Sequence, residues 1–185
     1  YHGDIDPDYH DPSIGIQPHL TDSLEEGQAD HAWAGLRAWA YGLSRAADYL
    51  VQLSVIDAER IAVMGHSRNG KTALVAGAFD ERFSLVVSNQ SGCGGAAISR
   101  RRHGETVKVI NTNFPHWFNG AFKQFNDRED FLPMDQHTLL AAVAPRPLLI
   151  CSATGDDWAD PEGEFLAAKE ASKVYDWLGC TALQD

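Results

Sequence analysis

Ser67 is the residue whose setting most directly implies chemistry. It lies in Arg60–Leu74, which reads R-I-A-V-M-G-H-S-R-N-G-K-T-A-L. The unbroken apolar run Ile61–Met64 predicts a strand buried on both faces. Gly65 then turns the chain, and Gly70 opens an Ala/Leu-rich helical run. A serine at the apex of a strand–turn–helix is a nucleophile elbow. The strained turn projects the hydroxyl, while the helix N-terminus offers an oxyanion backbone donors and a favourable dipole. The usual spacing is G-x-S-x-G. Here Asn69 takes the second glycine position and Gly70 follows it, giving G-x-S-x-x-G.

A serine nucleophile works with a base and an acid that orients it. On an α/β-hydrolase scaffold these come in the chain order Ser, acid, His. Leu148–Ser152 reads as a buried strand and runs into Thr154-Gly155-Asp156-Asp157-Trp158-Ala159-Asp160-Pro161. Asp156 or Asp157, at a strand's C-terminal end, is well placed to hold an imidazole. Asp160 before Pro161 reads as a helix N-cap. Histidines stand at positions 2, 10, 19, 31, 66, 103, 116 and 137, and none follows Asp157. A base in the usual order would therefore come from beyond Asp185. His137 is the tempting substitute within the chain, although on the face of a short helix a histidine is more often buried, hydrogen-bonded and structural. His66 on its tight turn points away from Ser67 and suits packing or hydrogen bonding.

The elements that must position these residues follow from periodicity. Residues 1–22 read as a loop, and Ser23-Leu24-Glu25-Glu26 has the form of a capping box. Apolar residues at Trp33, Leu36, Ala40, Leu43, Ala47 and Leu50 predict an amphipathic helix over about 30–53. The elbow helix is expected over 69–79 and a second buried strand over 83–88. Residues 92–134 have no clean period, as befits a functional insertion near the active site. A short helix over 135–144 precedes the third strand, and a last helix covers 164–178, stopped by Gly179.

Strands alternating with helices imply an α/β fold with a parallel sheet and three layers. With the elbow, this is a partial α/β-hydrolase fold within a single catalytic domain. Three strands do not close such a core, so the chain reads as a fragment lacking N-terminal strands and the C-terminal His loop.

Composition narrows the partners. A net charge of −11 argues against nucleic acid. The run Arg100-Arg101-Arg102 reads as a solvated turn or an anion contact. Cys93, Cys151 and Cys180 form no disulfide framework or zinc pattern. No apolar run approaches the roughly 20 residues that cross a bilayer, so no membrane partner is expected.

Longer motifs add a resemblance. G-H-S-R-N-G-K, N-Q-S-G-C-G-G-A-A, W-F at Trp117, L-P-M-D-Q-H, A-P-R-P-L-L and D-W-A-D-P resemble the glucuronoyl esterases of carbohydrate esterase family 15. The likeness runs from about Tyr9 to Gly179. It implies a secreted or periplasmic serine esterase, free of metal and other cofactors. The implied substrate is the 4-O-methyl-glucuronoyl ester that links xylan to lignin alcohols in lignocellulose.

Carried over by position, the resemblance implies Ser67 as nucleophile and Arg68 as oxyanion partner. Lys71, Glu105 and Trp158 would bind the sugar. Its usual Q-E-S-G acid position is Gln90 here, which puts the acid in the D-D-W loop, at Asp156 in preference to Asp157. Gln90 then hydrogen-bonds behind the site. His66 replaces a fungal disulfide cysteine, so that crosslink is not expected. Other readings are a different carbohydrate esterase, such as an acetyl xylan esterase, and a non-catalytic carbohydrate-binding relative. The Lys71–Glu105–Trp158 set argues against the first and the Ser67-Arg68 pair against the second.

Overall fold

The computed structural model describes residues 5–8, 14–21, 25 and 28–180. Its sheet holds β1 (Ile61–His66), β2 (Phe83–Asn89) and β3 (Leu148–Cys151), all parallel, in the order β1-β2-β3. Val63 pairs with Val86 and Gly65 with Ser88, while Val87 pairs with Leu149 and Asn89 with Cys151. The C-terminal ends of the three strands therefore lie side by side. In an open parallel sheet this is the edge where ligands bind.

The helices are α1 (Gln17–Thr21), α2 (Gly35–Leu50), α3 (Arg68–Phe79), α4 (Val107–Asn113), α5 (Gly120–Lys123), α6 (Gln136–Ala141) and α7 (Pro161–Trp177). The main core joins Ala40 and Ala47 of α2, Ala73 and Leu74 of α3, Leu140 of α6 and Ala167 and Ala171 of α7. All of them pack with Ile61, Val63, Phe83 and Val86 of the sheet. Small residues on α3 let it lie close to β2. A Cβ at Gly77 would collide with the side chain of Val86.

Within residues 1–185, the described helices cover only one of the two faces that the apolar run Ile61–Met64 predicts to be buried. Ile61 and Val63 face the helical core, whereas Met64 on the other face is 76% exposed and Leu149 of β3 is 50% exposed. The described helices share one core on one side of the sheet, so burial alternates with the pleat. Continuous hydrophobicity was read correctly as strand, and among the described residues it is covered on one side.

Residues 92–134 hold α4 and α5 between 3-10 turns at Ser99–Arg101 and Glu129–Phe131. They build a second, aromatic core in which Cys93, Val107, Ile110 and Trp117 meet Leu36 and Trp39 of α2, with Phe114, Phe118, Phe122 and Phe125 around them. The insertion also sets where α2 begins. The first N–H groups of the helix, at Gly35 and Leu36, donate to the carbonyls of His116 and Trp117. The helix accordingly starts later than its apolar period suggests. The capping box expected at residues 23–26 lies outside the described residues, apart from Glu25, as do residues 1–4, 9–13 and 22 of the expected N-terminal loop, whose described part includes the helical turn α1.

The arginine run makes anion contacts, and its anions are carboxylates of the protein itself. Arg100 pairs with Asp135, Arg101 with Asp160 and Glu162, and Arg102 with Glu129 and Asp130. Asp135, Asp160 and Glu129 are buried. The run therefore meets carboxylates that need countercharge, since a buried ion without a partner is strongly unfavourable. Asp160 also caps α7 as its sequence implies, accepting from the Gly163 N–H with Pro161 in the first turn. No helix among the described residues is long and apolar enough to cross a membrane.

Replacing Gly77 by alanine is expected to destabilise the fold by about 1–3 kcal/mol through overpacking against β2. Adding Val86→Ala makes room for the new methyl group. In urea melts the double variant should therefore lose less than the sum of the two single losses.

Candidate active site

The C-terminal ends of β1, β2 and β3 open onto a cavity of about 190 Å³. Its lining includes Ser67, Arg68, Lys71, Gln90, Glu105, Asp156 and Trp158, seven of the eight residues expected from sequence. The eighth, Asp157, is not brought in. It is 86% exposed, and its Oδ1 lies 2.8 Å from His103 Nε2. The hydrogen bond and negative charge of Asp157 raise the pKa of His103. The adjacent carboxylates face opposite ways, and Asp156 is the one inside.

Ser67 sits at the elbow with φ 55° and ψ −124°, a conformation that side-chain-bearing residues seldom adopt. Two glycines allow it. A Cβ at Gly65 would overlap the Asn69 carbonyl, and one at Gly70 would press on Ser91 and Asn89. Gly70, rather than the missing glycine at position 69, supplies the close approach that the elbow needs. The Ser67 N–H donates to the Asn89 carbonyl at 2.9 Å, which locks the turn to the end of β2. It is thereby spent, and the Gly70 and Lys71 N–H groups donate to the Ser67 carbonyl at 2.8 and 3.1 Å.

Arg68 stands beside Ser67. Its Nη1 lies 3.1 Å from Asp8 Oδ2, and its buried Nε–H has no hydrogen-bond partner among the described residues. Lys71, one turn along α3, is 97% buried by side chain and backbone together. Its Nζ donates to the Ser91 carbonyl and lies 3.8 Å from Glu105 Oε2. Burial lowers the Lys71 pKa, with the Glu105 charge opposing the shift. Burial likewise raises the Glu105 pKa, with the Lys71 charge opposing. Each charge thus opposes the shift that burial imposes on the other.

Glu105 is delivered by a short tie between loops. Its N–H donates to the Trp158 carbonyl at 3.0 Å, and Gly104 at φ 61° leaves no room for a side chain beside that carbonyl. Trp158 is half exposed at the cavity mouth. Asp156 accepts from Gln90 Nε2 at 2.7 Å on Oδ2 and from the Ala159 N–H at 3.4 Å on Oδ1. Gln90 itself lines the cavity, so it does more than support the site from behind. Glu164, fully buried at the start of α7, accepts from Ser91 Oγ, the Gly92 N–H and Ser152 Oγ. That single carboxylate ties the loop after β2 to the loop after β3.

Other parts of the site were not apparent from sequence. Phe114 and Trp117 stack at 3.9 Å and form one wall, with Ser91, Gly92 and Ala159 completing the lining. Asp8 comes from a segment with no period or motif to announce it. His66 does line the cavity, and its Nδ1 lies 3.2 Å from Asn89 Nδ2, in keeping with a hydrogen-bonding role. His137 is elsewhere, half-buried on α6 and not among the residues that line the cavity. Among the described residues, no group of three or more His, Cys, Asp and Glu side chains could hold a metal ion.

A serine on a sharp strand-to-helix turn above a parallel sheet, with an acid after a later strand, defines the α/β-hydrolase class. Comparison with known proteins narrows it. The sequence profile described as "Glucuronyl esterase, fungi" matches residues 27–179. The chain belongs to the glucuronoyl esterase family, carbohydrate esterase family 15.

Carbohydrate esterase MZ0003, from an unknown prokaryotic organism, is 57% identical over 183 residues, covering 99% of this chain and 42% of that protein. A 4-O-methyl-glucuronoyl methylesterase of Hypocrea jecorina is 34% identical over 160 residues, covering 82% and 35%. A solved promiscuous CE15 esterase from a marine bacterial metagenome superposes with a TM-score of 0.91 at 57% identity, covering 100% of this chain and 47% of that one. The chain spans less than half the length of these relatives.

The Lys71–Glu105 pair yields a pH prediction. In Lys71→Met, Glu105 loses the one charge that holds its pKa down, so a carbon-detected NMR titration should show it titrating higher than in the wild type. A folded-state pKa above the unfolded value favours folding below the unfolded pKa, and that contribution is lost as pH rises through the folded pKa. The stability of Lys71→Met should therefore fall from acid towards neutral pH, and Lys71→Met/Glu105→Gln should lack that fall.

Proposed function

We propose that this chain carries the nucleophile, the oxyanion partner and the acid of a serine esterase acting on glucuronoyl esters. The observation that carries the reading is the convergence of Ser67, Arg68, Lys71, Glu105, Asp156 and Trp158 on one cavity. Ser67 Oγ attacks the ester carbonyl as a histidine takes its proton, and the alcohol leaves with that proton returned. Water then attacks the acyl-enzyme by the same relay and releases the uronic acid. Arg68 and the first N–H groups of α3 hold the oxyanion through both steps.

Asp156 orients the histidine and balances its charge. Gln90 assists by donating to the far oxygen of that carboxylate without adding a second negative charge. Two carboxylates at this separation would compete for a proton, so a neutral amide at position 90 is the compatible partner once the acid stands at 156. The base comes from a histidine outside residues 1–185, in a single catalytic domain to which this chain contributes. Residues 92–134 serve that domain as an insertion that walls the site.

The sugar side is supported by chemistry. Glu105 accepts from ring hydroxyls, Lys71 donates to them, and Trp158 offers a face to the apolar C–H side of the ring. The name of the fungal relative, a 4-O-methyl-glucuronoyl methylesterase, points to the same acyl group. The natural substrate is then the ester between glucuronoxylan and lignin alcohols, and the place of action is outside the cell or in the periplasm. Neither nucleic acid nor membrane is a partner in this reading.

The test is hydrolysis of a methyl glucuronate ester by the full-length protein. Ser67→Ala should abolish turnover. Asp156→Asn should lower kcat by about 10²- to 10⁴-fold, as loss of the orienting acid does elsewhere, while Asp157→Asn stays near wild type. Sugar binding without turnover in the wild type would contradict the esterase reading. Equal effects of the two Asp→Asn changes would contradict the assignment of the acid.

A further inference from the structure

Asp8 reaches the site from a segment that is distant in sequence and firmly docked. The Ile16 N–H donates to the Ile5 carbonyl at 2.9 Å, and Trp39 Nε1 donates to the Asp6 carbonyl at 2.8 Å. The side chain of Ile5 fills the space beside Gly42 of α2. Docked in this way, the Asp8 carboxylate has three partners. His116 Nε2 lies 3.0 Å and Trp117 Nε1 2.7 Å from Oδ1, and Arg68 Nη1 lies 3.1 Å from Oδ2.

The two oxygens thus have different duties. Oδ1 is held by two ring donors from the insertion, which fixes the plane of the carboxylate. Oδ2 is left for the guanidinium. Burial would raise the Asp8 pKa, but the Trp117 and His116 donors and the Arg68 charge outweigh it and hold the carboxyl below its usual range.

An arginine side chain has several rotatable bonds and substantial rotamer entropy to lose. Arg68 remains 40% exposed, so packing alone does not define where its head lies. Asp8 does. With Nη1 engaged by Asp8, Arg68 still lines the cavity beside Ser67.

We propose that Asp8, held in place by His116 and Trp117, is a positioning residue that pre-sets the Arg68 guanidinium for the developing oxyanion beside Ser67. The inference rests on the esterase reading and on Arg68 as the oxyanion partner. It adds that the N-terminal segment is part of the catalytic apparatus although it touches no substrate. A donor fixed before the reaction stabilises developing charge without reorganisation, and that is the source of its effect.

The experiment is a double-mutant cycle on the full-length protein, with a methyl glucuronate ester as substrate. Asp8→Asn keeps the shape and an acceptor oxygen but removes the charge that holds Arg68. It should lower kcat by about ten- to a hundredfold, as a displaced catalytic group does, with KM little changed. In the Arg68→Ala background, Asp8→Asn should cost nothing further, because the group through which it acts is gone. A merely structural role would give losses that multiply in both backgrounds.

Unchanged or raised kcat in Asp8→Asn, or multiplicative losses, would overturn the inference while leaving the esterase reading in place. An inactive wild type would overturn that reading and this inference with it. Should thermal melts show Asp8→Asn unfolded, His116→Ala with and without Arg68→Ala reads the same coupling through a smaller lesion.

Discussion

The backbone at Ser67 is the constraint from which the rest of the site follows. A residue at φ 55° between a strand and a helix reverses the chain within one step. It can do so because Gly65 and Gly70 leave room where the turn folds back on Asn69, Ser91 and Asn89. The strain is balanced by the order around it. The Ser67 N–H bonds the Asn89 carbonyl, and α3 packs along β1 and β2 with alanine and glycine at the contact. Every group set by α3 inherits this geometry. Arg68 comes next to Ser67, and Lys71 lies one turn further into the interior.

Around that turn, buried acids organise the loops. Glu164 joins the loops after β2 and β3, Asp135 receives the N–H groups of Ser99 and Arg100, and Asp160 links α7 to Arg101. Asp8 and Glu105 do the same for the two basic residues of the site. Part of the chain's acidic excess therefore lies inside, matched to cations and N–H donors. Such groups define one arrangement more than they add stability, because a carboxylate deprived of its partner in the interior is costly. The long segment 92–134 has few regular hydrogen bonds of its own and depends on these clamps and on its aromatic core for its shape.

Much of this was legible in the sequence, and the limits have physical causes. The strands, the elbow and the helices after them were readable because local spacing determines them, and the predicted ends agree with the observed ones to within a few residues. The family motifs carried Arg68, Lys71, Glu105 and Trp158, which no period would have singled out. What covers each face of β1 could not be named, because an apolar run does not say what packs on it. The partners of the arginine run could not be named from sequence, because its carboxylates lie 27 to 61 positions away. Asp8 was invisible for the same reason, since its partners lie about a hundred positions on. Asp156 and Asp157 could not be separated by sequence spacing, and only the turn at residues 157–159 decides which of them faces the cavity.

The central claim is that the elbow makes Ser67 an activated nucleophile within a site for acyl transfer. Covalent labelling reads this most directly. The full-length protein is treated with a fluorophosphonate, from which a reactive serine displaces fluoride to form a stable phosphonate ester, and the modified peptide is identified by mass spectrometry. The account predicts stoichiometric modification at Ser67, slowed by prior binding of a methyl glucuronate ester and greatly slowed in Asp156→Asn. Failure of the wild-type protein to label, or labelling at a different serine, would contradict it.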